Sequence, residues 1–322
     1  MKNPARKNVV PQVLIQTLKT HPVILALIGF VVLFSALYPE RFLTPLNFST
    51  ILKQFVTLTL FALGPSIVVV TGSLDLSYVG IWMLGGILVW LLMPITGMFS
   101  ILVIPLLGLV TGFLIGVIQV KAKIPSFILT LSLLVTYWGI TATLSGGYPR
   151  SVREYAFITA SLIPHLPTAF LWSIPIILAA IFVMKRTRIG TYIYAIGSNE
   201  EGAQLAGINV DKHKILAFTL SGLFTGVGAV ILFPHLGGAA PVELNLNNVV
   251  GPLVAIVLGG TPLVGGSGGP QRTILGALTY AVVYRGLLLS LLHPEAVQLL
   301  VGLLLIVSIV VGSRGLKGVT IT

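Results

Sequence analysis

The chain has 322 residues, of which 56% are apolar and only 8% charged, against about 25% charged in an average soluble domain. It carries 19 Lys and Arg against 8 Asp and Glu, a net charge of +11, and has no Cys. This composition excludes a disordered chain, a disulfide scaffold and a Cys-ligated metal site, and it disfavours a soluble enzyme. It favours a membrane protein, because cytoplasmic loops collect Lys and Arg.

Ten apolar stretches are long enough to span a bilayer, which needs about 20 mostly apolar residues per helix. In chain order they are 21–38, 54–71, 77–94, 99–118, 125–144, 169–184, 214–233, 247–264, 272–291 and 295–312. Gly and Pro interrupt 77–94 and 247–264, which are the weakest of the ten. We predict an all-α, polytopic transmembrane bundle that forms one domain over 1–322.

The cations predict the orientation of this bundle. With a cytoplasmic N-terminus and ten spans, both termini are cytoplasmic and 14 of the 19 cations lie inside, as the positive-inside rule expects. The outside segments hold Arg41, Lys53, Arg150 and Arg153. Arg285 falls within a span, about five residues or 7 Å from its outer end, so we expect it to snorkel or to contact another subunit.

The long inside loop 185–213 contains a short predicted helix over 196–208. Ser198 and Glu201 have capping-box spacing, Glu200 and Glu201 suit a helix N-terminus, and Gly207 suits a C-cap. Two turns of helix are unstable alone in water. The helix therefore either lies on its own membrane domain or binds a cytoplasmic partner, with these candidate contact residues: Ser198, Asn199, Glu200, Glu201, Gln204, Leu205 and Gly207.

Catalytic signatures are missing from the sequence. It has no phosphate-binding loop of the G-x-x-x-x-G-K-S/T type, no H-E-x-x-H and no G-x-S-x-G elbow. The five His residues are scattered and mostly lie near span ends. We therefore expect no enzyme activity, no metal and no cofactor on this chain.

Polar residues interrupt the apolar pattern in three places. Asp75 lies in 71–77, a stretch too polar for a span, where it either stabilises the start of the next helix or lines a substrate path. The outside segment 235–248 carries Asn245, Asn247 and Asn248. The Gly-rich run 258–270 cannot form a regular helix, and Gly-interrupted elements in both halves indicate a broken-helix transporter.

Several motifs in the same order resemble one family. Residues 71–77 read T-G-S-L-D-L-S, residues 125–131 read P-S-F-I-L-T-L, and residues 195–208 read A-I-G-S-N-E-E-G-A-Q-L-A-G-I. Residues 41–47 and 257–269 add to the match, which covers roughly 20–315. The chain resembles the permeases of bacterial ABC importers for monosaccharides of the ribose, xylose and galactose type, within the larger branched-chain amino acid and sugar permease superfamily.

The resemblance implies a multi-pass inner-membrane subunit that forms the sugar path while ATP is hydrolysed elsewhere. Cytoplasmic ABC ATPase subunits, which bind ATP and Mg, would sit on the 196–208 helix. It also implies a second permease chain and a periplasmic or lipid-anchored sugar-binding protein, in contact with membrane lipid and without nucleic acid. Candidate path residues are Ser73, Asp75, Ser77, Phe127, Asn245, Asn247 and Asn248.

Three departures from the family pattern, at Tyr78, Gly251 and Arg285, leave open which sugar is carried and whether the permease is a homodimer or a heterodimer. An ABC permease for branched-chain amino acids or nucleosides is an alternative, although the outer segment offers mainly neutral Asn rather than charges for a zwitterion. An ion-driven transporter would need buried carboxylates, and only Asp75 is a fair candidate. An intramembrane protease lacks catalytic pairs.

Overall fold

The computed structural model describes residues 22–160, 162–236, 239–240, 246–290, 293, 296–300, 302–303 and 306. Asn245, the four N-terminal cations, the two C-terminal cations and most of the predicted span 295–312 lie outside these residues. Twelve α-helices run through them: α1 Pro22–Leu37, α2 Pro39–Phe42, α3 Pro45–Val70, α4 Ser77–Thr96, α5 Val103–Ala122, α6 Ser126–Ser145, α7 Thr168–Arg186, α8 Arg188–Ser198, α9 Glu200–Leu205, α10 Val210–His235, α11 Leu246–Leu258 and α12 Pro270–Leu289.

Short 3-10 helices at Gly97–Leu102 and Arg153–Ile158 complete the helical part. The one addition to the all-α prediction among the described residues is a two-stranded antiparallel ribbon. Strands β1 (Arg150–Ser151) and β2 (Ala239–Ala240) join the segment after α6 to the segment after α10. The ribbon is too short to alter the all-helical class of the fold.

Within the described residues, six helical stretches are long and apolar enough to cross a membrane. One of them, Ser77–Ala122, comprises α4, the first 3-10 helix and α5. The remaining five are α3, α6, α7, α10 and α12. The predicted spans 21–38 and 247–264 correspond to the shorter apolar helices α1 and α11.

Two predicted spans differ from the structure at their ends. The second span was expected to start at 54, but α3 starts at Pro45, where the Thr44 side chain caps it by accepting from the Asn47 N–H at 3.1 Å. The eighth was expected to run to 264, but α11 ends at Leu258. It ends there because the Gly-rich run begins and Gly260 takes a φ of +89°, which interrupts the helix.

The core is formed where α3, α4, α5 and α10 meet. The second half of α3 is buried from Val56 to Val70 on every side. Helices α5 and α10 approach closely because glycines face each other, and a Cβ at Gly108 or Gly222 would overlap the other residue's carbonyl oxygen. Close approach through small residues is how membrane helices gain van der Waals contact. The outward faces of α1, α5 and α7 are rich in exposed large apolar side chains, as a lipid-facing surface requires.

Candidate functional site

Hydrogen bonds between loops divide the bundle into two ends. One end, here called the basic end, comprises residues 71–76, 119–126, 185–214 and 259–272. The opposite end comprises the described residues of 38–47, 97–102, 146–160, 162–167, 235–236, 239–240 and 246–247. Of the 13 cations that the structure describes, eight lie at the basic end: Lys121, Lys123, Lys185, Arg186, Arg188, Lys212, Lys214 and Arg272. Most of the described cations therefore lie at one end of the bundle, and the residues that the sequence singles out at 71–77 and 196–208 lie at that same end.

Asp75 is buried at the basic end and is 1% exposed. One carboxylate oxygen accepts from the Ser77 N–H at 2.9 Å and from the Ser77 hydroxyl at 2.6 Å; the other accepts from the Ser221 hydroxyl on α10 at 2.6 Å. Both oxygens are therefore engaged within the chain. These contacts link the first turn of α4 to α10, as a residue that stabilises the start of a helix would.

The two Gly-interrupted segments pack directly on each other. The Gly266 N–H donates to the Val70 carbonyl at 2.9 Å, and an added Cβ at Gly72 would lie 3.1 Å from the Val264 carbonyl oxygen. The turn between α3 and α4 thus lies against the turn between α11 and α12. The two Gly-rich connections therefore meet at one place, and each of them joins two separate helices.

Helix α8 is fixed to this junction. An added Cβ at Gly197 would overlap the Val70 carbonyl oxygen, so the backbones touch. The Ser198 hydroxyl lies 3.3 Å from the Gly266 carbonyl, and the Tyr194 hydroxyl donates to the Gly268 carbonyl at 2.7 Å. The end of α8 therefore contacts both turns.

Helix α9 begins one residue later than the capping-box prediction required. Its N-cap is Asn199, whose side chain accepts from the Gly202 N–H at 2.8 Å. The predicted cap, Ser198, instead ends α8 and donates to the Tyr194 carbonyl at 2.8 Å. The prediction was wrong because Ser198 was already used by the preceding helix, which the short apolar pattern of 188–198 did not reveal.

The C-terminal prediction for α9 agrees with the structure. Gly207 has a φ of +82°, its N–H donates to the Gln204 carbonyl, and the next N–H, of Ile208, donates to the Ala203 carbonyl. This is a Schellman motif, in which a left-handed residue satisfies the last carbonyls of a helix.

Helix α9 presents most of its side chains to solvent. Ala203 packs with Ile196 and Val210 beneath it, while Leu205 is 90% exposed. Glu200 forms an ion pair with Lys214 at 2.7 Å that ties α9 to α10; Glu201 and Gln204 are exposed. Leu205 is thus the one large apolar side chain that α9 exposes, next to the exposed Glu201 and Gln204.

The predicted path residues fall at two separate places. Ser73, Asp75 and Ser77 cluster at the basic end, where Ser73 accepts from Gln119 at 3.2 Å. Asn247 and Asn248 lie on the first turn of α11, far along that helix from its Gly-rich end. The last of the predicted path residues, Phe127, lies at the start of α6, where its side chain is 47% exposed on the surface of the bundle.

Several residues of the junction carried no sequence signal. Ser221 bonds to Asp75, and Gln119 bonds to Ser73, across separations of more than 40 residues. Arg285, expected to snorkel or to contact another subunit, donates from Nε to the Asn47 side-chain oxygen at 2.7 Å at the opposite end. Local sequence patterns do not indicate such pairs, because the two partners are far apart along the chain.

Six helical stretches among the described residues that are long and apolar enough to cross a membrane define a multi-pass membrane protein. Residues 47–309 match the family described as branched-chain amino acid transport system / permease component, and the chain belongs to this family. Among the described residues no cluster of three or more metal-ligating side chains occurs.

Proteins similar to this chain are also named as permeases. The ribose import permease protein RbsC of Haemophilus influenzae is 33% identical over 264 residues, covering 79% of this chain and 80% of the relative. RbsC of Escherichia coli is 31% identical, covering 82% and 84%. The xylose/arabinose import permease protein XylH of Sulfolobus acidocaldarius is 27% identical, covering 74% and 70%. No solved structure gives a significant match.

Proposed function

We propose that this chain is the membrane-spanning permease subunit of an ABC importer for a monosaccharide. The observation that carries the proposal is the similarity to import permeases named for ribose and for xylose/arabinose along 74–82% of the chain. The sugar translocation path lies in this subunit, and ATP is bound and hydrolysed with Mg on separate ATPase subunits.

The basic end faces the cytoplasm in this proposal. Eight described cations lie there, and positive-inside bias places such an end in the cytoplasm. The helices then alternate in direction, and α1 and α11 count as spans. With the predicted span 295–312, ten spans place both termini in the cytoplasm.

Helix α9 is the docking site for an ATPase subunit. The exposed Leu205 offers an apolar anchor and Glu201 and Gln204 offer polar contacts around it. Movement of α9 is transmitted through α8 to the α3–α4 turn and the α11–α12 turn, because Gly197 and Ser198 contact residues 70 and 266. A second permease chain and a periplasmic or lipid-anchored sugar-binding protein complete the importer.

Within the path, we assign Asp75 a positioning role and keep the other predicted path residues as candidate substrate contacts. Both oxygens of Asp75 are occupied by Ser77 and Ser221. The hydroxyl and amide groups of Ser73, Asn247 and Asn248 remain candidates for hydrogen bonds with sugar hydroxyls, and Phe127 for stacking.

Docking at α9 is tested by Leu205→Glu, with Leu43→Glu as the matched control because Leu43 is also exposed but lies at the opposite end. We expect Leu205→Glu to weaken binding of the purified ATPase subunit by about 10-fold or more, as loss of a central apolar anchor does. Equal ATPase recovery with both variants would contradict docking at α9.

The substrate is tested by uptake into proteoliposomes that contain the chain with its ATPase and binding protein. We expect uptake of a pentose or hexose that depends on enclosed ATP. The family name raises branched-chain amino acids as the second candidate. Uptake of leucine in place of any sugar would overturn the proposal in favour of that candidate.

A further inference from the structure

An open cavity of about 430 Å³ lies at the basic end, between the end of α7, helix α8 and the start of α12. Lys185 and Arg272 line it together with Tyr194, Gln271 and the backbone of 266–268. No carboxylate is among the lining residues. The cavity is large enough for a phosphate with a small polar substituent.

Its two cations are uncompensated. The one ion pair formed within the described residues joins Lys214 to Glu200 and involves neither Lys185 nor Arg272. The Arg272 guanidinium is held in place because Nη1 donates to the Gly260 carbonyl at 2.9 Å. Two positive groups at a concave site without an acid attract an anion.

Backbone and side-chain groups around the cavity also lack partners. Neither the Ser267 N–H nor the Gly268 N–H makes a hydrogen bond with another part of the chain that the structure describes. The Oε1 atom of Gln271 is buried and accepts no hydrogen bond from described residues, although its Nε2 donates to the Tyr194 hydroxyl at 3.0 Å. Free N–H donors for a phosphate therefore occur beside the two cations, whereas the buried Gln271 oxygen is closed to a ligand.

The position of the cavity identifies the kind of anion. Along α7, Ile174, Leu178 and Phe182 are exposed at spacings of four residues and form a lipid-facing strip. Lys185 follows three residues later on the same face and lines the cavity. A lipid whose acyl chains lie along this strip brings its headgroup to Lys185.

We propose that this cavity binds the headgroup of an anionic phospholipid in the cytoplasmic leaflet. Its phosphate lies between Lys185 and Arg272, and the negative charge of a headgroup such as that of phosphatidylglycerol is matched by these two cations. Basic pockets between membrane helices on the cytoplasmic side are suited to such headgroups. The lipid would bridge α7, α8 and the turn before α12.

The test is native mass spectrometry of the purified full chain, delipidated and titrated with phosphatidylglycerol or phosphatidylcholine. We expect the wild-type chain to prefer phosphatidylglycerol, and Lys185→Gln to weaken that binding about five-fold, the effect of one cation near an anionic headgroup. Lys185→Arg should retain it. Because Lys185 is exposed, its loss does not endanger the fold.

Lys121→Gln is the matched control, since Lys121 is also exposed at the basic end but lies outside the cavity. An equal loss with Lys121→Gln, or no preference for phosphatidylglycerol, would overturn the site. Competition by inorganic phosphate or ATP at equal concentration would assign the cavity to a soluble phosphate. If Lys185→Gln weakened only binding of the ATPase subunit, the cavity would belong to that interface.

Discussion

The two ends of the bundle are held together by different kinds of contact. At the basic end the backbones themselves touch: Gly266 donates to Val70, and Gly197 fits against the same carbonyl only because it has no Cβ. At the opposite end the described contacts between elements are made mostly by side chains, as in Arg285 with Asn47 and Tyr155 with Ser100, and the two-residue β1–β2 ribbon adds backbone pairing. Backbone contact leaves little room for adjustment, whereas side chains can change rotamer.

This difference suggests how movement passes through the molecule. An element packed backbone to backbone moves as one body with its neighbours, so α8, the turn before α4 and the turn before α12 form one rigid junction. The opposite end includes the segment 146–160, in which Arg150 and Ser151 pair with Ala240 and Ala239 in a two-residue ribbon. We expect the opposite end to tolerate changes that the junction does not.

Asp75→Ala is the change expected to have the largest effect. It removes the acceptor of three hydrogen bonds at a site with 1% exposure and leaves the hydroxyls of Ser77 and Ser221 without it. We expect a loss of about 3 kcal/mol or more in stability, seen as a lower melting temperature of the purified full chain in detergent. The melting temperature of Asp75→Asn should lie between those of the wild-type chain and of Asp75→Ala, because the Asn side chain still has one oxygen that accepts a hydrogen bond.

The same pair of variants separates the two roles of Asp75. A melting temperature equal to that of the wild-type chain, combined with loss of sugar uptake, would contradict the positioning role and return Asp75 to the substrate path. A parallel decrease of stability and uptake would support positioning.

Gly197→Ala tests the backbone contact at the junction. The new methyl group would overlap the Val70 carbonyl oxygen, so α8 must shift. We expect a loss of about 1–3 kcal/mol, as for overpacking in a core, and weaker coupling of uptake to ATP hydrolysis. The melting temperature and the ratio of sugar transported to ATP hydrolysed measure the two effects.

Gly139→Ala is the matched control, because an added Cβ there meets nothing within 4 Å. Gly139 also lies inside a helix, where Ala is favoured over Gly by about 0.5–1 kcal/mol. We therefore expect the control to be neutral or slightly stabilising. Equal losses in both variants would show that helix glycines in general, rather than the junction, determine the outcome.

The sequence predicts local features of the site well. The Gly-rich run predicts the non-helical turn after α11, and Gly207 predicts the left-handed residue after α9. The position of Asp75 just before an apolar helix predicts a contact with the start of that helix, one of the two roles considered for it. Each of these depends on neighbours within a few residues, so the local pattern contains the information.

Features that depend on distant residues are not predictable in this way. The Ser221 partner of Asp75 is 146 residues away, and the Asn47 partner of Arg285 is 238 residues away. The cap of α9 was assigned to Ser198 rather than Asn199 because two short helices follow each other there without a break in polarity. The ends of α3 and α11 were misplaced because hydropathy does not report capping or tertiary contact.

Tyr155→Phe is the change expected to have the smallest effect, and it tests the opposite end. Tyr155 is 1% exposed; its hydroxyl lies 2.7 Å from the Ser100 hydroxyl and donates to the Met98 carbonyl at 2.9 Å. Phe keeps the packed ring and removes only these hydrogen bonds, so we expect a loss of about 1 kcal/mol in the melting experiment, with ATPase binding unchanged. A loss as large as that of Asp75→Ala would mean that the opposite end is as rigid as the junction, and the contrast between side-chain and backbone contact would no longer explain how the two ends differ.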